Sequence, residues 1–278
     1  MAGFKAAVRR GRDVPLSVGR RFRRYVTGRR EVCFRCNVCG AACRTAPEDL
    51  ERETRSCAWC GSTMRWRATV AALSGELFGR SLAIADFPHR PDVRGLGLSD
   101  DRCYASGLAG KLGYVNTFYD REPRFDVMRP GPEHLDRYDF VIASDVFEHV
   151  PPPPLAAFVN ARLMLRAGGV LVFSVPYVVG GETVEHFPEL FDYELARDGD
   201  EPVLRNHTRD GRRQEFRGLA FHGGGGVTLE MRLFSLDGLR DLVARAGFAR
   251  LTIHDADAPG WGICWGGAAG SHVMVART

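Results

Sequence analysis

The chain has 278 residues, 45% of them hydrophobic and 26% charged, the composition of an ordinary globular protein with room for one α/β domain and a small appendage. Its formal net charge of +4 calls for no nucleic-acid partner on bulk electrostatics, and no apolar run reaches the roughly 18 residues of a membrane helix. The N-terminus lacks an apolar stretch followed by a small-residue cleavage site, so a cytoplasmic location is expected.

The charge is uneven. Residues 1–31 form a basic arm in which Lys5, Arg9, Arg10, Arg12, Arg20, Arg21, Arg23, Arg24, Arg29 and Arg30 stand against Asp13 and Glu31. Such an arm suits an anionic partner, or is a solvated tail. Six of the eight cysteines then fall between residues 33 and 60. Cys36-Asn-Val-Cys39-Gly40 and Cys57-Ala-Trp-Cys60-Gly61 are two knuckles, each with paired thiols and a glycine for the turn. Seventeen residues separate the pairs, within the range of a four-cysteine zinc ribbon, so Cys36, Cys39, Cys57 and Cys60 are the expected ligands of a structural zinc. Disulfides are disfavoured without a secretory signal, paired spacing favours zinc over an iron–sulfur cluster, and Cys33 and Cys43 are alternative or spare ligands. The ribbon-like module spans 32–67. Arg65 and Arg67 close it, either gripping an anion or anchoring the helix predicted over 68–78.

Beyond that helix, Ser81–Asp86 (SLAIAD) reads as a strand, Gly95-Leu-Gly97 as part of a second short strand, and Tyr114–Tyr119 as a strand rich in β-branched and aromatic residues. Asp139–Pro176 is the most informative stretch. It reads as a buried strand (DFVIAS), the acidic turn Asp145-Val-Phe-Glu148-His149-Val150, a helix opened by Pro151–Pro154, a Gly-Gly turn and a second buried strand (GVLVFSVP). This is a βαβ unit, and its ligands bind beyond the carboxyl ends of the strands, where Asp145, Glu148 and His149 lie. Further on, Ser235 or Asp237 caps a helix ended by Gly247, and 249–255 with 271–278 reads as a final antiparallel pair.

These features resemble the class I S-adenosylmethionine-dependent methyltransferases over residues 78–278. The resemblance lies in the Asp145–Val150 turn, the Leu163–Gly169 helix end, Pro176, Leu233–Leu239 and Ala246-Gly-Phe248. It implies an α/β fold, a Rossmann-like, seven-stranded, mostly parallel sheet with the small zinc ribbon at its N-terminus, in a domain spanning 68–278 with a substrate or lid insertion over 178–233. It also implies S-adenosyl-L-methionine as cofactor. Asp86 would meet the cofactor's amino group after the first strand, Asp120 or Glu122 the ribose and Asp126 the adenine. Asp145 and Glu148 would face the methyl and methionine part. The family's Gly-rich turn after strand 1 is missing behind SLAIAD. The acceptor would be a hydroxyl or amine of a small molecule, sugar or carrier-linked metabolite. Other chemistry on the same fold, or a binding module that grips RNA or protein, are the alternatives.

Transfer to oxygen or nitrogen requires positioning of the acceptor and removal of a proton. Histidine suits the latter near neutral pH. His149, His186 and His222 are the candidates, with Glu185 and Glu230 as partners. His186 is favoured, because Glu185 stands beside it and Phe187-Pro188 follows.

Overall fold

The computed structural model describes residues 31–222, 228–266 and 270–278. A hairpin of β1 (Val32–Arg35) and β2 (Ala42–Thr45) opens the chain. Helix α1 (Met64–Phe78) follows, its N-terminus capped by Thr63, whose hydroxyl accepts from the Trp66 amide. Then come β3 (Arg90–Leu98), α2 (Arg102–Ala109), β4 (Leu112–Thr117), β5 (Tyr138–Ser144), α3 (Leu155–Met164) and β6 (Leu165–Ser174). After an insertion, α4 (Leu236–Arg245), β15 (Arg250–His254) and β16 (Val273–Arg277) complete the fold.

The main sheet has six strands in the order β15-β16-β6-β5-β3-β4. β4, β3, β5 and β6 are parallel, and β16 is antiparallel to both β6 and β15. The strands bury both faces by simple alternation. Phe140, Ile142, Val170, Val172, Val273 and Val275 face a core shared with α1, α2 and the cysteine hairpin. Val141, Ala143, Leu171, Phe173, Met274 and Ala276 face a second core shared with α3 and α4. Helix α4 is fixed at its start by Ser235, whose hydroxyl accepts from the Gly238 amide at 3.0 Å, a cap worth about 1 kcal/mol.

The N-terminal module is no separate bead. Phe34, Cys36, Val38, Cys43, Leu50 and Cys57 belong to the same apolar cluster as Tyr104, Phe140 and Val172. Gly262, at φ 69°, lets the chain pass so close to the Phe34 ring that a Cβ there would overlap it.

The insertion is folded. β7 (Tyr177–Val178) and β8 (Val184–Glu185) flank β14 (Arg232–Ser235). β9 (Asp192–Asp198), β10 (Glu201–His207) and β11 (Arg213–Phe216) form an antiparallel meander, and β12 (Phe221–His222) pairs with β13 (Thr228–Leu229). Phe187, Leu204, Leu229 and Met231 give this unit a small core of its own.

Two expectations are corrected. The first parallel strand is β3, not Ser81–Asp86. That segment makes a 3-10 turn over Ile84–Asp86, tied to the cysteine module by the Ile84 amide donating to the Asn37 carbonyl. Gly95 and Gly97 alternate with Leu96 and Leu98, which enter the second core, so the glycines fall on the opposite face. There, a Cβ on Gly95 would overlap the Phe140 ring, and one on Gly97 would overlap the Tyr114 hydroxyl. Secondly, the sheet has six strands among the described residues where seven were expected. Between β4 and β5 only Phe118 and Arg124 make an isolated parallel bridge. Pro123, Pro130 and Pro132 in that stretch lack the amide hydrogens that a ladder needs.

Candidate active site and cysteine centre

The two knuckles fold as their spacing requires. The Gly40 amide donates to the Cys36 carbonyl at 2.7 Å and the Gly61 amide to the Cys57 carbonyl at 2.9 Å, with both glycines left-handed at φ 80° and 70°. The sulfurs of Cys36, Cys39, Cys57 and Cys60 all lie within 4.8 Å of one another. Cys36 to Cys60 and Cys39 to Cys57 are each 3.7 Å. A tetrahedral zinc with bonds of about 2.3 Å sets its sulfurs about 3.8 Å apart, so the four thiols match that ion. Cys43 lies outside the set, buried, with its sulfur 3.4 Å from Cys57; burial and then the Cys57 contact push its thiol up to about 12. Cys33 is exposed. Arg67 is fully buried beside the centre, donating to the Ser62 and Gly262 carbonyls and the Ser56 hydroxyl, with the Phe34 ring beneath its guanidinium. It anchors the module from beside the cysteine cluster.

The chain runs outward from β3 to β4 and then returns to β5 on the other side of β3. The topological switch therefore lies between the carboxyl ends of β3 and β5, where α/β folds bind ligands. On the β3 side the turn Ser99-Asp100-Asp101 leads into α2, with Ser99 left-handed at φ 61°. Asp100 is buried and accepts from the hydroxyls of Tyr104 at 2.6 Å and Tyr114 at 2.5 Å. Burial raises its carboxyl to about 7 even though both hydroxyls and the charge of Arg65 oppose the shift. A cavity of about 340 Å³ opens beside it, lined by Asp100, Arg102, Tyr114, Asn116, Phe118 and Arg121.

On the β5 side Asp145 also holds a left-handed conformation, φ 54°. Arg52 grips its carboxylate with two bonds of 3.0 and 2.6 Å, and the Ser174 hydroxyl donates to it at 2.6 Å. Arg65 lies 3.4 Å from the same carboxylate and donates to the Ser144 hydroxyl at 2.6 Å. Burial alone would raise Asp145, but the bonds and charge of Arg52, the charge of Arg65 and Ser174 bring it down to about 2. Three residues on, Glu148 is wholly buried, and neither of its carboxyl oxygens has a hydrogen-bond partner. Burial, and then the charge of Asp145, push its carboxyl well above the usual range. His149 has Nδ1 2.9 Å from the Leu229 carbonyl, which can only accept, so Nδ1 carries a hydrogen; Nε2 lies 3.7 Å from Glu148.

The insertion supplies a wall next to this turn, since the Met231 amide donates to the Glu148 carbonyl. Arg232 is fully buried, donating to Glu185 at 2.6 Å and to the Phe147 carbonyl at 2.8 Å. Glu185 is therefore not the partner of His186. His186 lies just past the end of β8, and its Nε2 meets Glu230 instead, at 3.0 Å. His222 lies on β12, and its side chain is outside the described residues.

The structure brings Asp145, Glu148, His149, His186 and Glu230 around one turn and its covering wall. It does not bring Asp86 there. That residue is exposed and forms an ion pair of 2.6 Å with Arg35, because its segment is a turn rather than the first strand. Asp120 is exposed on the loop beyond β4. Asp126 is half-buried and caps its own turn by accepting from the Met128 amide at 2.9 Å. Sequence reasoning missed Arg52, Asp100 and Asn116. Asp100 was findable from its place after a Gly-x-Gly strand; Arg52 carried no local signal.

Among the described residues no helix is long and apolar enough to cross a membrane. The comparison with curated proteins returns no match. Among solved structures, the chain is similar to the 1,6-didemethyltoxoflavin-N1-methyltransferase of Burkholderia thailandensis, determined with 1,6-didemethyltoxoflavin and S-adenosylhomocysteine, at 17% identity and TM-score 0.43, over 77% of each chain. It is also similar to an S-adenosylmethionine-bound amino pentose methyltransferase of Micromonospora echinaspora, at 14% identity and TM-score 0.41, over 78% of this chain and 92% of that one. A third similarity is to an S-adenosylmethionine-dependent methyltransferase of Mesorhizobium loti, at 13% identity and TM-score 0.44, over 79% and 100%. The family model of the methyltransferase domain matches residues 104–253, more than half of the chain, from within α2 to within β15. The chain belongs to the family of methyltransferase domains that this model describes.

Proposed function

We propose that this enzyme transfers a methyl group from S-adenosylmethionine to an oxygen or nitrogen of a small molecule, a sugar or a carrier-linked metabolite, and that its four-cysteine centre holds a structural zinc. The observation that carries the cofactor reading is the buried carboxyl of Glu148, without a hydrogen bond at either oxygen and close enough to Arg52 and Arg65 for their charges to act on it. An amino-acid head group suits this combination: the arginines would receive its carboxylate, and its ammonium would favour the ionised form of Glu148 that burial otherwise opposes. The cavity beside Asp100, with Phe118 under the Arg121 guanidinium, suits the nucleoside end.

When bound, the cofactor supplies an electrophilic methyl group on a sulfonium. The chain's own residues do the rest. His186, with Nε2 held by Glu230, removes the acceptor proton, and the Glu230 carboxylate orients the ring. The insertion covers the β5 turn and excludes water. The Glu185–Arg232 pair holds β8 against β14 and so places His186.

Titration calorimetry with S-adenosylmethionine and S-adenosylhomocysteine tests this. Binding of about −8 kcal/mol, the micromolar range, is expected, and should weaken in Glu148→Gln. Folded, metal-loaded protein that binds neither ligand would overturn the proposal. Metal analysis should find zinc in the wild type and none in a Cys57→Ala/Cys60→Ala variant.

A further inference from the structure

We propose that Arg52 and Arg65 are positioning residues by which the cysteine module builds one side of the methyl-transfer crevice, so that metal binding in the module sets affinity for the cofactor. The inference rests on the reading of the β3/β5 switch as the cofactor site.

Both arginines belong to the module. Arg52 lies between Cys43 and Cys57, just after the buried Leu50, and Arg65 lies in the first turn of α1, beyond Cys60. The Arg65 amide donates to the Arg52 carbonyl at 3.2 Å, and the Glu53 carboxylate bridges the two guanidinium groups. Arg52 also donates to the Ser271 carbonyl at 2.9 Å. The four groups Arg52, Glu53, Arg65 and Asp145 thus form one clasp that joins the module to the carboxyl end of β5.

The clasp's location argues against a mere fastening. The module is already held by a shared apolar core and by the buried Arg67, so an ion pair for attachment could sit anywhere on the long interface. Instead it sits at the topological switch. Arg65 reaches Ser144 and Asp145 on one side, and its charge acts on Asp100 on the other. The clasp closes on a non-glycine residue in the left-handed region, a conformation that surrounding contacts must maintain. It also stands beside Glu148, the buried carboxyl that has no hydrogen-bond partner. The metal fixes the knuckle Cys57–Cys60 from which α1 and Arg65 start, and the same knuckle ends the loop that carries Arg52.

The groups facing Asp145 are Arg52, Arg65, Ser174 and, through its charge, Glu148; Glu53 faces the arginines. Removing the arginines leaves a buried carboxylate opposed only by Ser174, and Asp145 then titrates in the range where the wild type is fully ionised.

The test uses the full, zinc-loaded chain and S-adenosylhomocysteine, by calorimetry from pH 5 to 8, with metal content and thermal unfolding measured on each variant. Arg52→Ala and Arg65→Ala should keep their metal, lose about tenfold or more in affinity, and follow a pH dependence different from that of the wild type. Arg52→Lys and Arg65→Lys should recover part of the affinity, and Cys57→Ser should lose metal and affinity together. Should the alanine variants fail to fold, Arg52→Gln and Arg65→Gln carry the same test. Variants that keep their metal and bind like the wild type at every pH overturn the inference alone. A wild type that binds no S-adenosylhomocysteine overturns the cofactor reading and the inference with it.

Discussion

Replacing Asp100 with asparagine should remove a specific component of the pH dependence of stability. The carboxyl is buried at the carboxyl end of β3, and burial raises it from the usual 3.8 to about 7. Because the folded value lies above the unfolded one, the native state keeps a proton that the unfolded chain has released. The associated stability is complete below about pH 3.8, declines by about 1.4 kcal/mol per pH unit above it, and is gone once pH passes 7. Between pH 5 and 8 the loss comes to roughly 2–3 kcal/mol. Asparagine stays neutral throughout and keeps an oxygen for one tyrosine hydroxyl. Urea unfolding of wild type and Asp100→Asn at pH 5, 6, 7 and 8 should therefore show the wild type losing about that much relative to the variant as pH rises, while contributions common to both, such as Glu148, cancel. Parallel stability curves would refute the assignment of a near-neutral titration to Asp100.

Gly95→Ala should cost about 1–3 kcal/mol, because its Cβ overlaps the Phe140 ring, and Phe140→Leu should recover part of that loss; an additive double-mutant cycle would contradict the packing described. Glu185→Ala leaves the fully buried Arg232 without its carboxylate and should destabilise by about 3–5 kcal/mol, whereas Glu185→Leu/Arg232→Met should cost less; equal losses in urea unfolding would count against a desolvated pair. Glu230→Gln should lower kcat for methyl transfer more than it alters KM, since it weakens the hold on His186; an unchanged kcat would remove His186 as the proton acceptor.

What the chain's letters disclosed depended on how local the cause was. The β5–α3–β6 unit was legible because Val141–Ala143 and Val170–Phe173 are apolar at every position, as strands buried on both faces must be. The cysteine knuckles and the Ser235 cap were legible because their partners lie within a few residues. β3 was misread, because Gly95 and Gly97 remove the apolar alternation on one face. Their side of the strand is filled by Phe140 and Tyr114, from β5 and β4, and nothing near position 95 announces those rings. Asp86 followed that error into the wrong role. His186 was paired with Glu185 because the two adjoin in sequence; Glu185 is taken by Arg232, and Glu230 reaches the ring from across the insertion. Arg52 could not be found at all, since its meaning arises only when a loop 93 residues upstream meets Asp145.

The placement of Gly262 against Phe34 also governs when the protein can become itself. Arg67 donates to the Gly262 carbonyl across 195 residues, and Arg52 to that of Ser271 across 219. During synthesis the cysteine hairpin emerges some two hundred residues ahead of the groups that complete its interior. A metal can bind the knuckles early and hold them, but the buried guanidinium of Arg67 must wait in water until the C-terminal segment leaves the ribosome. A chain halted before residue 262 would display a metal-loaded hairpin with an apolar face uncovered, so premature termination here yields an aggregation-prone product and not a smaller working module.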